Sequence, residues 1–488
     1  MISWIEHRTG LISALKEFLT EDIPGGASYW YVFGATTLIL FTMQVVTGIF
    51  LTFYYSPSAV TAWESTRYIY EHVTLGQFMI SLHDWGASAM IIVITLHLLQ
   101  VLVFGAYKRP REIQWVVGVS LFFFTLVLGF TGYLLPWDLN AYYATQVGIN
   151  IAASVPMIGT YIAAFLNDGS TLGTLTVSRF FGIHVWATPA LLIGLIGLHL
   201  FIFRHNGPAG PPSDHGPKTI GRFYPDQIFL DTLVAFIAFL VVVALAVYMP
   251  TPLLPKADPN YGGFIPAPAW YFYSLYGVLR LAPAGVLTLV ATVVLPGVFA
   301  LVLFLLPWID RNPSRAIAKR GFMMGVTSIT IVAIVGLSLF AAKAIDTERK
   351  ASPAGLTPVA GLGAPRVTPS PVAVTTGASA PAAAPDGMAV YSANCASCHG
   401  ASGQGLAETF PPLAGNPFVT GDPKKVIAVV DNGLHGAITV GGKPFNGVMP
   451  EWKDKLSPAE IAAVINYIRS SWGNKAPPVT EAQVKAVK

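Results

Sequence analysis

Residues Phe78–Phe104 read FMISLHDWGASAMIIVITLHLLQVLVF, an apolar run that carries His83 and His97, 14 positions apart. A helix needs about 20 predominantly apolar residues to cross a bilayer, so this run is long enough to span one. Fourteen residues carry a helix forward by about 21 Å and return it nearly to the same face. The two imidazoles are therefore expected on one face at opposite depths. Phe180–Phe203 repeats the pattern with His184 and His199, 15 positions apart.

Five further runs, Trp30–Tyr54, Trp115–Leu135, Thr232–Tyr248, Gly285–Trp308 and Gly321–Ala342, bring the expected spans to seven. A buried soluble helix explains one such run and not seven. Only 11% of the 488 residues are charged and 53% are hydrophobic, whereas soluble domains are about a quarter charged. That excludes a soluble enzyme, and a net charge of +4 is too mild to argue for nucleic acid. The expected fold class is all-α: a polytopic membrane bundle of four spans plus three, with a small all-α domain behind it. Ile2–Leu19 alternates apolar and charged residues at helical spacing and is expected to lie along the membrane surface.

Lysine and arginine set the orientation. The loops after spans two, four and six hold Lys108, Arg109 and Arg111; Arg204, Lys218 and Arg222; and Arg311, Arg315, Lys319 and Arg320. Such loops stay in the cytoplasm. The chain is thus expected in a bacterial inner membrane, with its N-terminus cytoplasmic and everything after Ala342 outside. Of the 35 residues Ala351–Pro385, 28 are Ala, Pro, Gly, Ser or Thr, too little apolar surface to fold. The expected order is a four-helix domain over 1–225, a three-helix domain over 226–345, a tether over 346–386 and a soluble domain over 387–488, with helices at Met388–Cys395 and Ser457–Trp472.

Within the soluble tail, Cys395-Ala396-Ser397-Cys398-His399 has the spacing of covalent haem attachment. Two thiols three apart add to one haem, and His399 then faces the iron. Met is the usual partner of such a His when the potential is high. Met449 lies fifty residues downstream, in Gly447-Val448-Met449-Pro450-Glu451-Trp452, and is the expected sixth ligand, with His435 as competitor. Cys395 and Cys398 are the only cysteines, so a Cys-ligated iron–sulfur cluster is not expected in this chain.

Spans two and four run in the same direction, so His83 pairs in depth with His184, and His97 with His199. A lone intramembrane histidine is usually a packed residue. Four in register on co-directional helices point to two haems b, each held by two imidazoles, because ionisable groups at that depth are functional by default. Gly34 and Gly48, and Gly118 and Gly132, are also 14 apart. A missing Cβ there would let a flat macrocycle approach the backbone.

With these pairs, Lys108-Arg109-Pro110-Arg111-Glu112, Gly132-Tyr133-Leu134-Leu135-Pro136-Trp137-Asp138 and Pro268-Ala269-Trp270-Tyr271-Phe272, residues 1–345 closely resemble cytochrome b of the quinol:cytochrome c oxidoreductases. The 15-residue step and the Pro-Trp-Asp order resemble the chloroplast-type branch, here with its two pieces fused and a class I monohaem cytochrome c added. The resemblance implies an outer quinol site between Tyr133, Pro136, Trp137, Asp138 and Pro268, Trp270, Tyr271. It implies an inner quinone site at Arg204, His205 and Asp231, and haem b surroundings that include Arg111 and Arg179, the latter as a propionate partner. Electrons from quinol would pass to a Rieske-type iron–sulfur protein, and through the haems to an inner quinone and to a soluble or membrane-bound acceptor. The family further implies other subunits of a bc-type complex, a homodimer and a contribution to proton-motive force.

Three positions depart from the family. Ala269 stands where an acid implicated in taking a quinol proton is usual. Val32 stands where the chloroplast-type branch has a Cys for an extra haem, and no Cys occurs in residues 1–394. Ile80 stands where an Arg usually precedes the first haem histidine by three. Asp138 is expected to take over the proton-accepting role from Ala269. A non-catalytic electron conduit is the rival expectation.

Overall fold

The computed structural model describes residues 2–351 and 387–486, apart from 170, 217–218, 259–264, 283–285, 396–398, 400–402, 406–409, 435, 437, 446–448 and 454–455. It divides into two compact units, within 1–367 and 368–488.

Seven helices of the first unit are long and apolar enough to cross a membrane: Tyr29–Thr52, Gly76–Val103, Glu112–Tyr133, Thr174–Asn206, Phe223–Tyr248, Leu287–Ile309 and Gly321–Lys350. They match the seven runs read from the sequence, with spans four, five and seven longer than expected. Span one packs on two, three on four, and five on both one and two. Leu40, Phe41, Leu82, Met90, Leu192 and Val242 form one buried cluster. Outward residues such as Phe201, Phe229 and Val332 stay exposed, at 70%, 64% and 70%. An apolar exterior of this kind suits lipid, not water.

Span four absorbs its extra residue locally. Ile183–Ala187 is one π-helical turn, with the Thr188 N–H reaching the Ile183 carbonyl. Pro189, at the start of the following α-helix, has no N–H to continue the regular ladder. A single wide turn adds one residue without rotating the helix beyond it. His184 sits inside that turn, which is how a 15-residue step keeps His184 and His199 usable together.

At the end that carries the basic loops, the two halves of the bundle are joined by a charged knot. The Arg320 side chain, fully buried, donates to the Val103 carbonyl at 2.8 Å, the Leu102 carbonyl at 3.0 Å and the Tyr107 hydroxyl at 2.8 Å. It thereby satisfies last-turn carbonyls of span two. Asp310 accepts from Tyr107 and lies 2.9 Å from Lys108 Nζ. Gly105, at φ +60°, lets this happen: a Cβ there would lie 3.0 Å from the Arg320 guanidinium.

Shorter helices, Ala62–His72, Leu139–Ala153, Gly159–Leu166 and Tyr273–Leu281, occupy the connections between spans. Ile2–Thr9 and Leu11–Leu19 form two N-terminal helices, the second exposing Leu11 and Leu15. Just after them, Asp22–Pro24 pairs antiparallel with Ile220–Arg222. The segment 346–386, expected as a tether, is helical over 346–351, where helix Gly321–Ala351 ends. Asp346 pairs there with Lys350 at 2.6 Å and Glu348 with Arg280, which favours continuing the helix. The rest of the tether lies outside the described residues.

The second unit builds its core from Tyr391, Ile427, Ile461 and Ile465, on helices Gly387–Asn394, Pro423–Asn432 and Pro458–Ser470. Ser457 and Glu460 cap the last of these reciprocally. A small hairpin, Ile438–Val440 with Lys443–Phe445, is the strand content the all-α expectation left out.

Candidate functional site

The four intramembrane histidines fall into two pairs facing four glycines. The His83 and His184 rings are 6.2 Å apart, centre to centre. A Cβ on Gly48 would lie 3.3 Å from His83, on Gly132 2.5 Å from His184, on Gly34 3.4 Å from His97, and on Gly118 3.3 Å from His199. The glycines of spans one and three thus make room for the imidazoles of spans two and four themselves, a closer role than the approach of a macrocycle to the backbone.

The His83–His184 pair is oriented by threonines. Thr47 gives its hydroxyl hydrogen to the Met43 carbonyl at 2.8 Å and lies 2.8 Å from His83 Nδ1. Thr131 donates to the Val127 carbonyl at 2.8 Å and lies 3.1 Å from His184 Nδ1. In both, Nδ1–H faces the threonine oxygen and Nε2 keeps a free lone pair, the arrangement of a metal-ligating imidazole. In the other pair, His97 Nδ1 and His199 Nδ1 are buried without a partner at hydrogen-bonding geometry, the Gln114 backbone lying beside the latter. Paired imidazoles with unused nitrogens in an apolar bundle fit haem iron ligation.

At the end of the bundle away from the basic loops, Trp137 adopts φ +52° and is 4% exposed. Its carbonyl accepts from Ala257 N–H at 3.2 Å. Tyr55 donates to the Leu135 carbonyl, next to Pro136, at 2.7 Å. Tyr133 donates to the Ala267 carbonyl at 2.9 Å, just before Pro268 and Ala269, and Tyr271 donates to the Gly129 carbonyl at 2.9 Å. Trp270 Nε1 donates to Ser88 Oγ at 3.1 Å. The structure therefore brings the 133–138 and 267–271 segments together.

Asp138 takes a different place from the one expected. It is 8% exposed; Oδ1 accepts from the Ala141 N–H at 2.9 Å and Oδ2 from the Leu254 N–H at 3.3 Å. It caps helix Leu139–Ala153 and fastens the 254–256 loop. Burial pushes its carboxyl up, against the pull of the Ala141 and Leu254 N–H groups. Each oxygen thus accepts one backbone N–H.

The inner candidates separate. Arg204 pairs with Glu21, lies 3.9 Å from Glu17 and packs over the Phe18 ring, so it anchors the N-terminal helix. His205 is exposed. Asp231 is buried and accepts from Gln227 Nε2 at 2.8 Å, while Gln227 holds the Ser28 backbone. Arg111 donates to the Asn206 and Gly207 carbonyls at 3.2 Å each, closing the C-terminal end of span four. Arg179 donates to the Asn167 carbonyl and lies over Phe165.

In the second unit, His399 is buried and its Nδ1 lies 3.0 Å from the Pro411 carbonyl, which directs Nε2 away as a ligand requires. Burial lowers its proton affinity, with the Pro411 carbonyl opposing, so the ring is held in its neutral form. Cys395 is half-buried against the core, as is Met449, which bridges to Leu434. Cys398 and His435 lie outside the described residues.

Sequence reading missed several participants. Thr47 and Thr131 each directly precede a spaced glycine, a signal available but unused. Gly129 lies three residues before Gly132, and a Cβ there would meet Tyr271 at 2.9 Å. Asn140 joins Tyr133 to Ala267. Asp84, next to His83, holds Thr251 Oγ1 at 2.9 Å.

Three protein families match the chain: cytochrome b (N-terminal)/b6/petB at residues 88–256, cytochrome b (C-terminal)/b6/petD at 257–352, and cytochrome c oxidase, cbb3-type, subunit III at 382–468. The menaquinol:cytochrome c reductase cytochrome b subunit of Bacillus subtilis is 41% identical over 216 residues, 43% of this chain and 96% of that protein. Cytochrome b of Allochromatium vinosum is 32% identical over 362 residues, 69% and 87% of the two chains. A solved hyperthermophilic respiratory complex III chain aligns with TM-score 0.62 at 25% identity, covering 71% of this chain and 96% of that one. These similarities imply haem b in the first unit and haem c in the second.

Proposed function

Because the chain belongs to the cytochrome b family, we propose that it is the core subunit of a quinol:cytochrome c oxidoreductase that oxidises quinol at the outer face of a bacterial inner membrane. Bound haem would supply one-electron carriers: two haems b in the membrane bundle and one covalent haem c on the second unit.

The observation that carries this reading is the register of four imidazoles against four glycines. His83 and His184 would hold the outer iron and His97 and His199 the inner, through the nitrogens that the threonines and the apolar packing leave free. Cys395, Cys398, His399 and Met449 would hold haem c. Tyr133, Pro136, Trp137, Pro268, Trp270 and Tyr271 enclose the outer quinol, with Asp138 fixing their frame. Arg204, His205 and Asp231 lie toward the inner end, where quinone would be reduced and protons taken from the cytoplasm. The second electron acceptor would be a Rieske-type iron–sulfur protein, in a homodimeric complex with further subunits, and haem c would serve a soluble or membrane-bound acceptor. Menaquinol, named for the Bacillus subtilis relative, is the quinol to test first.

Ala269 and the engaged oxygens of Asp138 favour one rival, a haem-bearing conduit with an idle outer site. Steady-state quinol:cytochrome c turnover of the purified complex separates them. Turnover that responds to substitutions at Tyr271 and Trp270 supports the enzyme. A complex with its full haem content and no turnover supports the conduit.

A further inference from the structure

Asn140, on the first turn of helix Leu139–Ala153, takes part in a closed ring of three hydrogen bonds. Its Nδ2 donates to the Tyr133 oxygen, Tyr133 donates to the Ala267 carbonyl at 2.9 Å, and the Ala267 N–H returns to Asn140 Oδ1 at 3.1 Å. Ala267 is 4% exposed, so its N–H and C=O have no recourse to water, and buried backbone groups of this kind are almost always paired. Asn140 and Tyr133 supply both partners. The ring closes two residues before Ala269, on the strand-like stretch that leads into the Trp270–Phe272 turn.

We propose that Asn140 is a positioning residue of the outer quinol site: it fixes the distance between the 133–138 and 267–271 walls and directs the Tyr133 hydroxyl onto backbone. This rests on the outer-site reading above. Two consequences follow from the donor and acceptor count. Tyr133, donating to Ala267 and accepting from Asn140, has no hydrogen left for a quinone oxygen, so it shapes the site without acting as its acid. The main chain around Ala269 is held from the 267 side, independently of any acid at 269.

The ring predicts a binding effect. Removing one buried hydrogen-bonding side chain and orphaning the Ala267 N–H should raise the quinol KM about tenfold, with kcat within about threefold. The experiment uses the purified complex with Asn140→Leu, Asn140→Ala and Asn140→Asp. It reads quinol turnover, calorimetric binding of a short-chain naphthoquinone and haem b content by pyridine haemochrome. Asn140→Asp keeps the acceptor for Ala267 and should restore binding to within about threefold of the parent. Tyr133→Phe combined with Asn140→Leu should cost no more than the larger single change, because both break one ring. Naphthoquinone binding unchanged in Asn140→Leu and Asn140→Ala, with haem b intact, overturns the proposal. So does full additivity with Tyr133→Phe. If Asn140→Leu loses haem b, the contrast between Asn140→Ala and Asn140→Asp decides: equal binding in those two overturns the proposal, and weaker binding in Asn140→Ala supports it. A parent complex that neither oxidises quinol nor binds naphthoquinone overturns the outer-site reading and this proposal with it.

Discussion

Thr47 Oγ1 lies 2.8 Å from His83 Nδ1 while its own hydrogen goes to the Met43 carbonyl. Thr131 and His184 repeat the relation between spans three and four, whereas no threonine stands beside His97 or His199, the Gln114 backbone lying beside the latter. His83 and His184 therefore each have a threonine oxygen facing Nδ1–H, while His97 and His199 have no partner there at hydrogen-bonding geometry. Outer-shell acceptors raise ligand basicity and fix the ring, and their loss costs about tenfold or more in metal affinity.

Thr47→Val keeps the shape and removes the acceptor. The outer haem b should bind at least about tenfold more weakly and shift to higher potential, because a less basic imidazole stabilises ferric iron less. The inner haem should not move. Redox titration followed in the haem b absorption band resolves the two. An unshifted outer component would dismiss the threonine as a bystander.

His97→Ala and His199→Ala should each remove the inner haem b and leave the outer one, since one imidazole cannot supply both axial ligands. Pyridine haemochrome should fall from about two haems b per haem c to about one. Loss of both haems b together would indicate a collapsed bundle, and no loss would remove these residues from the ligand set.

Met449→His should retain the covalent haem and lower its potential by more than ~100 mV, because replacing thioether by imidazole ligation lowers potential. His399, oriented by the Pro411 carbonyl at 3.0 Å, stays as the other ligand. An unchanged potential would mean that another residue ligates.

Asp310 offers a test by pH. Burial raises its carboxyl, but hydrogen bonds from Tyr107 and Lys108 outweigh that and hold it below the ordinary carboxylate range. A depressed folded value adds stability that is fully present above the unfolded value, about pH 4, and disappears as pH falls through the folded one. Asp310→Asn should therefore lower Tm at pH 7, and the gap to the parent should close below about pH 4. A gap that is constant with pH would deny the knot its ionic character.

The spans were legible because a bilayer demands long uninterrupted apolar helices, and the histidine register was legible because helical periodicity is fixed. The 15-residue step of span four could be read as a pair but not explained. Its cause, the π turn at Ile183–Ala187, depends on how Pro189 disrupts the ladder. The candidate quinone sites could be named only through motif resemblance, since Tyr133, Asn140 and Ala267 are brought together by tertiary structure and share no local spacing. Arg204 illustrates the limit. Its charge was read as a mark of the cytoplasmic face, but that it would be engaged by Glu21 and Phe18 is a matter of how the N-terminal helix folds back.

Asp138 is where motif and geometry diverge most, and it gives the decisive substitution. Its Oδ1 caps helix Leu139–Ala153 through Ala141, and its Oδ2 takes the Leu254 N–H. Asp138→Asn preserves one acceptor for the cap, since Asn caps helices about as well as Asp, and replaces the other oxygen by an NH2 that cannot accept. The loop at Leu254 loosens, at a cost of about 1 kcal/mol, while the quinol walls keep their frame through the Asn140 ring. Turnover should stay within about threefold of the parent. Asp138→Leu removes the cap as well and should cost about 1–2 kcal/mol more in stability. Thermal unfolding and quinol turnover, measured on both variants, separate the roles. A general base normally contributes about a hundredfold or more, so a drop of that size in Asp138→Asn with an unchanged Tm would restore Asp138 as the proton acceptor and displace the cap as its main role.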